Sequence, residues 1–162
     1  MKVIKRIINV LTTLIIVIGC IFLLLYLIGI KPYVVLSGSM EPTIKTGSLC
    51  FINKNVSYDS IKEKDIIAFK LKNDVLVTHR VVNKTKNGIE TKGDNNKDLD
   101  NVIITKDNYF GKNVFWIPYI GYIFKSFQTT KGMIIYLTMI VVLFVIGLLF
   151  GDKSEKKNKK TE

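Results

Sequence analysis

The sequence predicts a mainly β fold: a small barrel-like β domain held between two membrane-spanning α-helices. Three observations predict it. Ile7–Ile30 contains 24 residues without a charge, and Gly132–Gly151 contains 20 more. Each run is long enough to cross a hydrocarbon core of ~30 Å at a rise of ~1.5 Å per residue. Between them lie roughly a hundred residues in which short β-branched and aromatic runs alternate with Gly, Asn and Asp turns, the signature of a small antiparallel β domain with a modest core.

The elements follow in order. The N-terminal run competes with a cleavable signal peptide, whose apolar region spans only ~7–15 residues before a small-x-small site. This run is longer and holds no alanine, the chain's single one being Ala68. Ser37-Gly38-Ser39 reads small-x-small but sits far beyond the apolar centre. The run is therefore read as a retained anchor. Lys2, Lys5 and Arg6 precede it, and Lys153, Lys156, Lys157, Lys159 and Lys160 follow the second run. An excess of Lys and Arg marks the cytoplasmic side, so both termini are expected in the cytoplasm and the middle domain outside it. The expected organisation is residues 1–6 as a cytoplasmic N-terminus, 7–30 as the first span, 31–131 as the extracytoplasmic β domain, 132–151 as the second span, and 152–162 as a solvated, Lys-rich cytoplasmic tail.

Within the middle domain, Tyr33–Ser37 and Leu49–Asn53 read as strands. Asp65–Leu71 and Val75–Asn83 read as a hairpin around Asn73-Asp74. Lys86-Asn87-Gly88 turns into Ile89–Lys92, and a last strand, Asn113–Ile117, stops at Pro118. Val114–Ile123 is rich in aromatics. It fits either core packing or a rim at the membrane–water boundary, where Trp and Tyr concentrate.

A net charge of +11 raises nucleic acid as a partner. The middle-domain lysines are interspersed with Asp and Glu rather than drawn into a stripe with interleaved aromatics, so nucleic acid is set aside and anionic lipid headgroups are the simpler partner. Of the two cysteines, Cys20 falls in the first span and Cys50 in the apolar run Ser48–Ile52, so no disulfide framework is expected. No Cys/His cluster suggests a metal, and no cofactor is expected.

The hydroxyl-rich stretch Val34-Val35-Leu36-Ser37-Gly38-Ser39-Met40-Glu41-Pro42-Thr43 begins four residues beyond the first apolar run. A serine becomes a nucleophile only when a base takes its proton. His79 is the only histidine. Alternation along a strand puts it on one face with Val75, Val77 and Val81, where a structural histidine bonded to a backbone carbonyl competes with a catalytic one. A free imidazole changes charge near pH ~6.5, which suits a general base. Lys70 and Lys72 are alternative bases that would require burial. Carboxylates to orient the base are available in Gly93-Asp94-Asn95-Asn96-Lys97-Asp98-Leu99-Asp100, although Asp and Asn there also serve as turn formers. A calcium loop is excluded, because Leu99 and Thr105 stand where Gly and Glu are required.

Taken together, Ser37-Gly38-Ser39-Met40-Glu41-Pro42-Thr43, Asp65-Ile66-Ile67-Ala68-Phe69, Thr78-His79-Arg80-Val81-Val82, Lys92-Gly93-Asp94-Asn95-Asn96 and Gly111–Tyr122 resemble, in order, the boxes of type I signal peptidases. Thr78–Val82 is similar to the branch that uses histidine where most bacterial members use lysine, which includes endoplasmic-reticulum, archaeal and SipW-like bacterial enzymes. Two departures stand out: Lys64 where Gly often precedes the aspartate, and Ser48 where an acidic residue often follows Gly47. The resemblance implies a membrane-bound serine endopeptidase that removes signal peptides from secretory preproteins at small-x-small sites. It implies Ser39 as nucleophile, His79 as general base, and Ser37 with the Ser39 backbone N–H as the oxyanion hole. Asp100 is the first choice for the orienting carboxylate and Asp94 the second. Secretory preproteins, membrane lipid and the secretion machinery are the implied partners. The rival readings are an idle membrane-anchored domain that binds extended peptides or assembles partners, and a Ser-Lys peptidase in which His79 is structural.

Overall fold

Leu, Ile and Val with no internal proline carry helix α1 over Lys2–Leu27 in the computed structural model, which describes residues 2–72, 74–127 and 129–151. Asn9–Leu27 is the one helical segment among the described residues found long and apolar enough to cross a membrane. The helix ends in a glycine cap: Gly29 adopts φ +78°, and its N–H donates to the Tyr26 carbonyl at 3.1 Å. At the other end of the chain, helix α3 covers Thr130–Gly151, the second apolar run. The expected tail 152–162 lies outside the described residues.

Residues Leu25–Lys125 form a compact unit of their own. It is built on a six-stranded sheet of β1 (Ile30–Val34), β2 (Leu49–Asn53), β3 (Ile66–Lys70), β4 (Leu76–Thr85), β5 (Gly88–Lys92) and β6 (Tyr109–Ile117). The order is β1-β2-β6-β3-β4-β5 and every pairing is antiparallel. β1 and β5 are the edges, and no ladder joins them among the described residues.

Burial on both faces explains the continuous apolar runs. In β3, Ile66 and Ala68 point to one side with Met40, Ile44, Cys50 and Ile52. Ile67 and Phe69 point to the other with Ile61, Val81, Ile89 and Ile104. Each Ile, Val, Met or Phe among them contributes ~1.5–3 kcal/mol on leaving water, and a one-residue slip of β3 would exchange its side chains between two differently shaped cores.

The strand ends differ from expectation where neighbours override local pattern. β2 has the expected bounds. β1 starts three residues early despite Pro32, which an edge strand tolerates. β6 starts at Tyr109 because Gly111 and Lys112 pair with Ala68 and Ile67. Helix α2 (Ile120–Phe127) was not anticipated. It follows Tyr119 at φ +64° and is tied to the sheet by the Gly121 N–H on the Gly47 carbonyl at 2.9 Å.

The departure at Lys64 has a structural counterpart. Lys64 adopts φ +71°, with its N–H on the Val81 carbonyl at 2.9 Å and its own carbonyl accepting from Arg80 at 3.0 Å. A left-handed non-glycine residue costs about 1–2 kcal/mol, partly offset by the greater unfolded-state entropy of glycine. Lys64→Gly is therefore expected to stabilise the protein by up to about 1 kcal/mol, seen as a rise of a few degrees in melting temperature.

Candidate active site

Ser39 lies on the segment between β1 and β2, which caps one face of the sheet through Met40 and Ile44, both essentially inaccessible. Glu41 staples this segment by accepting from the Thr46 N–H at 3.1 Å and its hydroxyl at 2.9 Å. The Asn95 N–H donates to the Ser39 carbonyl at 2.8 Å. Gly93 belongs to the same clamp, since a Cβ there would come within 2.5 Å of that carbonyl oxygen. The serine backbone is thus held from both sides, by a buried neighbour and by a separate loop.

His79 sits in the middle of β4, opposite Ile67 in register, and is 7% exposed. β5 pairs with β4 only from Arg80 onward, so on that side Leu76–His79 carries no strand among the described residues. Ser39 reaches the histidine at this gap: Ser39 Oγ lies 3.0 Å from His79 Nε2. On the other side of the ring, Nδ1 lies 2.7 Å from Asp100 Oδ2. A carboxylate only accepts, so Nδ1 carries the proton and leaves Nε2 free to accept from the serine hydroxyl. Asp100 is itself anchored: its N–H donates to the Thr91 carbonyl at 2.9 Å and Oδ2 accepts from the Thr91 hydroxyl at 2.6 Å.

The remaining candidates fall into place around this chain. Ser37 Oγ stands 3.4 Å from Ser39 Oγ, on the exposed side. Asp94 does not contact the imidazole nitrogens; Arg80 grips it with Nε on Oδ1 at 2.8 Å and Nη2 on Oδ2 at 2.6 Å. Hydrogen bonding from Arg80 outweighs partial burial and, with Thr43, lowers the Asp94 carboxyl below its ordinary 3.8. Lys70 is half exposed and paired with Asp74 at 2.9 Å, and Lys72 is exposed. No cluster of metal-binding side chains occurs among the described residues.

Because the Asp94 carboxyl is depressed in the folded state, its stabilising contribution is present above the unfolded value and is lost as pH falls through the folded one. The melting temperature is expected to drop on acidification below the ordinary 3.8. Asp94→Asn should lower it at neutral pH and show a shallower acid limb, a comparison a thermal-melt series across pH checks directly.

A cleft of about 430 Å³ opens beside Ser39, lined among others by Val35, Met40, Ile44, Cys50, Leu76 and Thr78. Val35 lines it, whereas Ile67 is wholly buried in the opposite core. Cys50 contributes to the floor as a buried thiol whose pKa burial pushes up to about 12.

The family described as signal peptidase, peptidase S26, matches residues 4–111, a stretch holding all these side chains. The chain belongs to that family. It is 40% identical over 78 residues to signal peptidase I W of Bacillus subtilis, covering 46% of this chain and 41% of that protein. It is 37% identical over 103 residues to SEC11, a signal peptidase complex catalytic subunit of Colletotrichum graminicola, covering 56% and 59%. The Neurospora crassa counterpart is 35% identical over 103 residues, with the same coverage. The chain spans about half the length of the curated relatives it matches.

Two residues of this candidate site were not singled out from the sequence as site residues: Arg80, as the partner of Asp94, and Thr91. A signal for Thr91 existed. In Gly88-Ile89-Glu90-Thr91-Lys92 the alternation places Thr91 on the inward face with Ile89, a polar group where an apolar one is the rule.

Proposed function

We propose that this chain is a membrane-bound serine endopeptidase that removes signal peptides from secretory preproteins. The observation that carries the reading is the hydrogen-bonded series Ser39–His79–Asp100 beside an apolar cleft. Ser39 Oγ attacks the carbonyl carbon before the scissile bond while its proton passes to His79 Nε2. Asp100 holds the ring in the required tautomer and stabilises its charged form. The Ser37 hydroxyl and the Ser39 N–H serve the developing oxyanion, a type of contact commonly worth ~3–4 kcal/mol. The tetrahedral species collapses, the leaving amine takes the proton from Nε2, and water then hydrolyses the acyl-enzyme by the same path in reverse.

The substrate lies extended along the uncovered Leu76–His79 edge of β4, where a peptide adds as a strand and alternate side chains enter the cleft. Small-x-small sites are the expected preference. α1 and α3 act as two spans, both termini cytoplasmic and the β unit outside, in contact with lipid and within reach of the secretion machinery. The first span ends a few residues before the strand leading to Ser39, so enzyme and membrane-held cleavage site meet at one depth and at raised effective concentration. An idle peptide-binding scaffold gains no support from a serine and histidine set at hydrogen-bonding distance.

The test is incubation of a radiolabelled secretory preprotein with the purified full chain in detergent, followed by N-terminal sequencing of the product. A shortened product starting after a small residue, absent with Ser39→Ala, is the expected result. Equal cleavage by both proteins would overturn the reading.

A further inference from the structure

We propose that Thr91 is a positioning residue for the reaction, fixing the Asp100 carboxylate through its hydroxyl so that His79 keeps a single tautomer; this rests on the peptidase reading above. Thr91 is wholly buried, on β5, and faces inward beside Val81 of β4. Its hydroxyl donates to Asp100 Oδ2 at 2.6 Å, the same oxygen that accepts from His79 Nδ1 at 2.7 Å. Its carbonyl accepts from the Asp100 N–H at 2.9 Å. One residue therefore fixes both the backbone and the carboxylate of Asp100.

The hydroxyl matters because Asp100 comes from a loop, not a strand. A carboxylate on a loop turns about its own side-chain bonds unless a second donor holds it. Two donors meeting at one oxygen define the plane of the carboxylate, and hydrogen bonds to an ionised acceptor are the strong ones. With the hydroxyl removed, the carboxylate turns away about its side-chain bonds in part of the molecules, and there the imidazole loses its acceptor at Nδ1. Nδ1 then no longer holds the proton in every molecule, and those with Nε2 protonated cannot accept from Ser39. The other charged groups facing this assembly are Asp94, whose carboxylate also feels His79, and Arg80, which is tied to Asp94. Neither touches Asp100 Oδ2, so neither substitutes for Thr91.

The experiment compares Thr91→Val and Thr91→Ser with the unaltered full chain in detergent. Thr91→Val keeps the shape and deletes the hydroxyl; Thr91→Ser keeps the hydroxyl and deletes a methyl. Preprotein cleavage should show kcat reduced on the order of ten- to a hundredfold in Thr91→Val, below the full loss of an orienting carboxylate, with KM within about twofold and recovery to near the unaltered rate in Thr91→Ser. A second readout needs no substrate. His79 is the chain's only histidine, so imidazole ¹⁵N shifts report it without ambiguity. The unaltered chain and Thr91→Ser should show one Nδ1-protonated tautomer, and Thr91→Val a mixture. Unchanged kcat with a single tautomer in Thr91→Val would overturn the proposal, as would a Thr91→Ser as impaired as Thr91→Val. Should Thr91→Val fail to fold, Thr91→Ala gives the same pair of readings. If the unaltered chain cleaves no preprotein, the peptidase reading fails on its own, and the tautomer comparison still decides the role of Thr91.

Discussion

Ser39→Ala and His79→Ala are each expected to reduce preprotein turnover by about 10⁴–10⁶-fold while leaving the chain folded, and the double variant should be no worse than the single ones. The magnitude follows from the way such groups act as one unit: without the base the hydroxyl stays protonated, and without the hydroxyl the base has nothing to activate. Folding should survive because Ser39 is only half buried and its backbone is held by Met40 and Asn95, whatever its side chain. His79→Ala leaves a gap against Ile67 and Phe69, so its melting temperature should be read alongside its rate. Lys70→Ala is the matching control. Lys70 is half exposed and paired with Asp74, so its loss should leave turnover within about twofold, surface pairs contributing little. The reverse order, with Lys70→Ala inactive and His79→Ala active, would assign the chemistry to a Ser-Lys pair instead.

The sequence was most legible where local pattern and tertiary context agree. β2 keeps its expected bounds because Leu49–Ile52 are apolar and fully buried on both faces. β3 and β5 shift by a residue at most, being bounded by turns their own residues specify. α2 was hidden, since a run of Ile, Tyr and Phe satisfies a strand as readily as a helix, and the decision lies in the Gly121 contact with Gly47, over seventy residues away. Similarly, local pattern alone did not pair His79 with one aspartate rather than another; the family resemblance ranked Asp100 before Asp94. The pairing depends on the β4–β5 register, which shifts between Val81 and Asn83, and on a loop whose carboxylates all look like turn formers. Residue types suited to the chemistry were visible; which of them share hydrogen bonds depends on the fold.

That division between Asp100 and Asp94 supports the second large prediction. Asp100→Asn is expected to lower turnover by about 10⁴-fold, the scale seen when an amide replaces the orienting carboxylate of a serine protease and favours the wrong tautomer. Here the amide would also meet two donors, His79 Nδ1–H and the Thr91 hydroxyl, at a position where the carboxylate accepted from both. An amide turned with its nitrogen to that position donates to Nδ1, which moves the proton to Nε2 and blocks the serine; turned the other way, its oxygen accepts from both donors but carries no charge to stabilise the imidazolium. Asp94→Asn should behave differently. It breaks a two-point pair with Arg80 that braces the loop behind Ser39, so the loss should appear mainly as lowered stability, with turnover reduced by less than about tenfold at a temperature where the protein stays folded. Measuring kcat and melting temperature for both variants separates the roles. A large kcat defect confined to Asp94→Asn would transfer the orienting role to Asp94 and require the loop to rearrange when substrate binds.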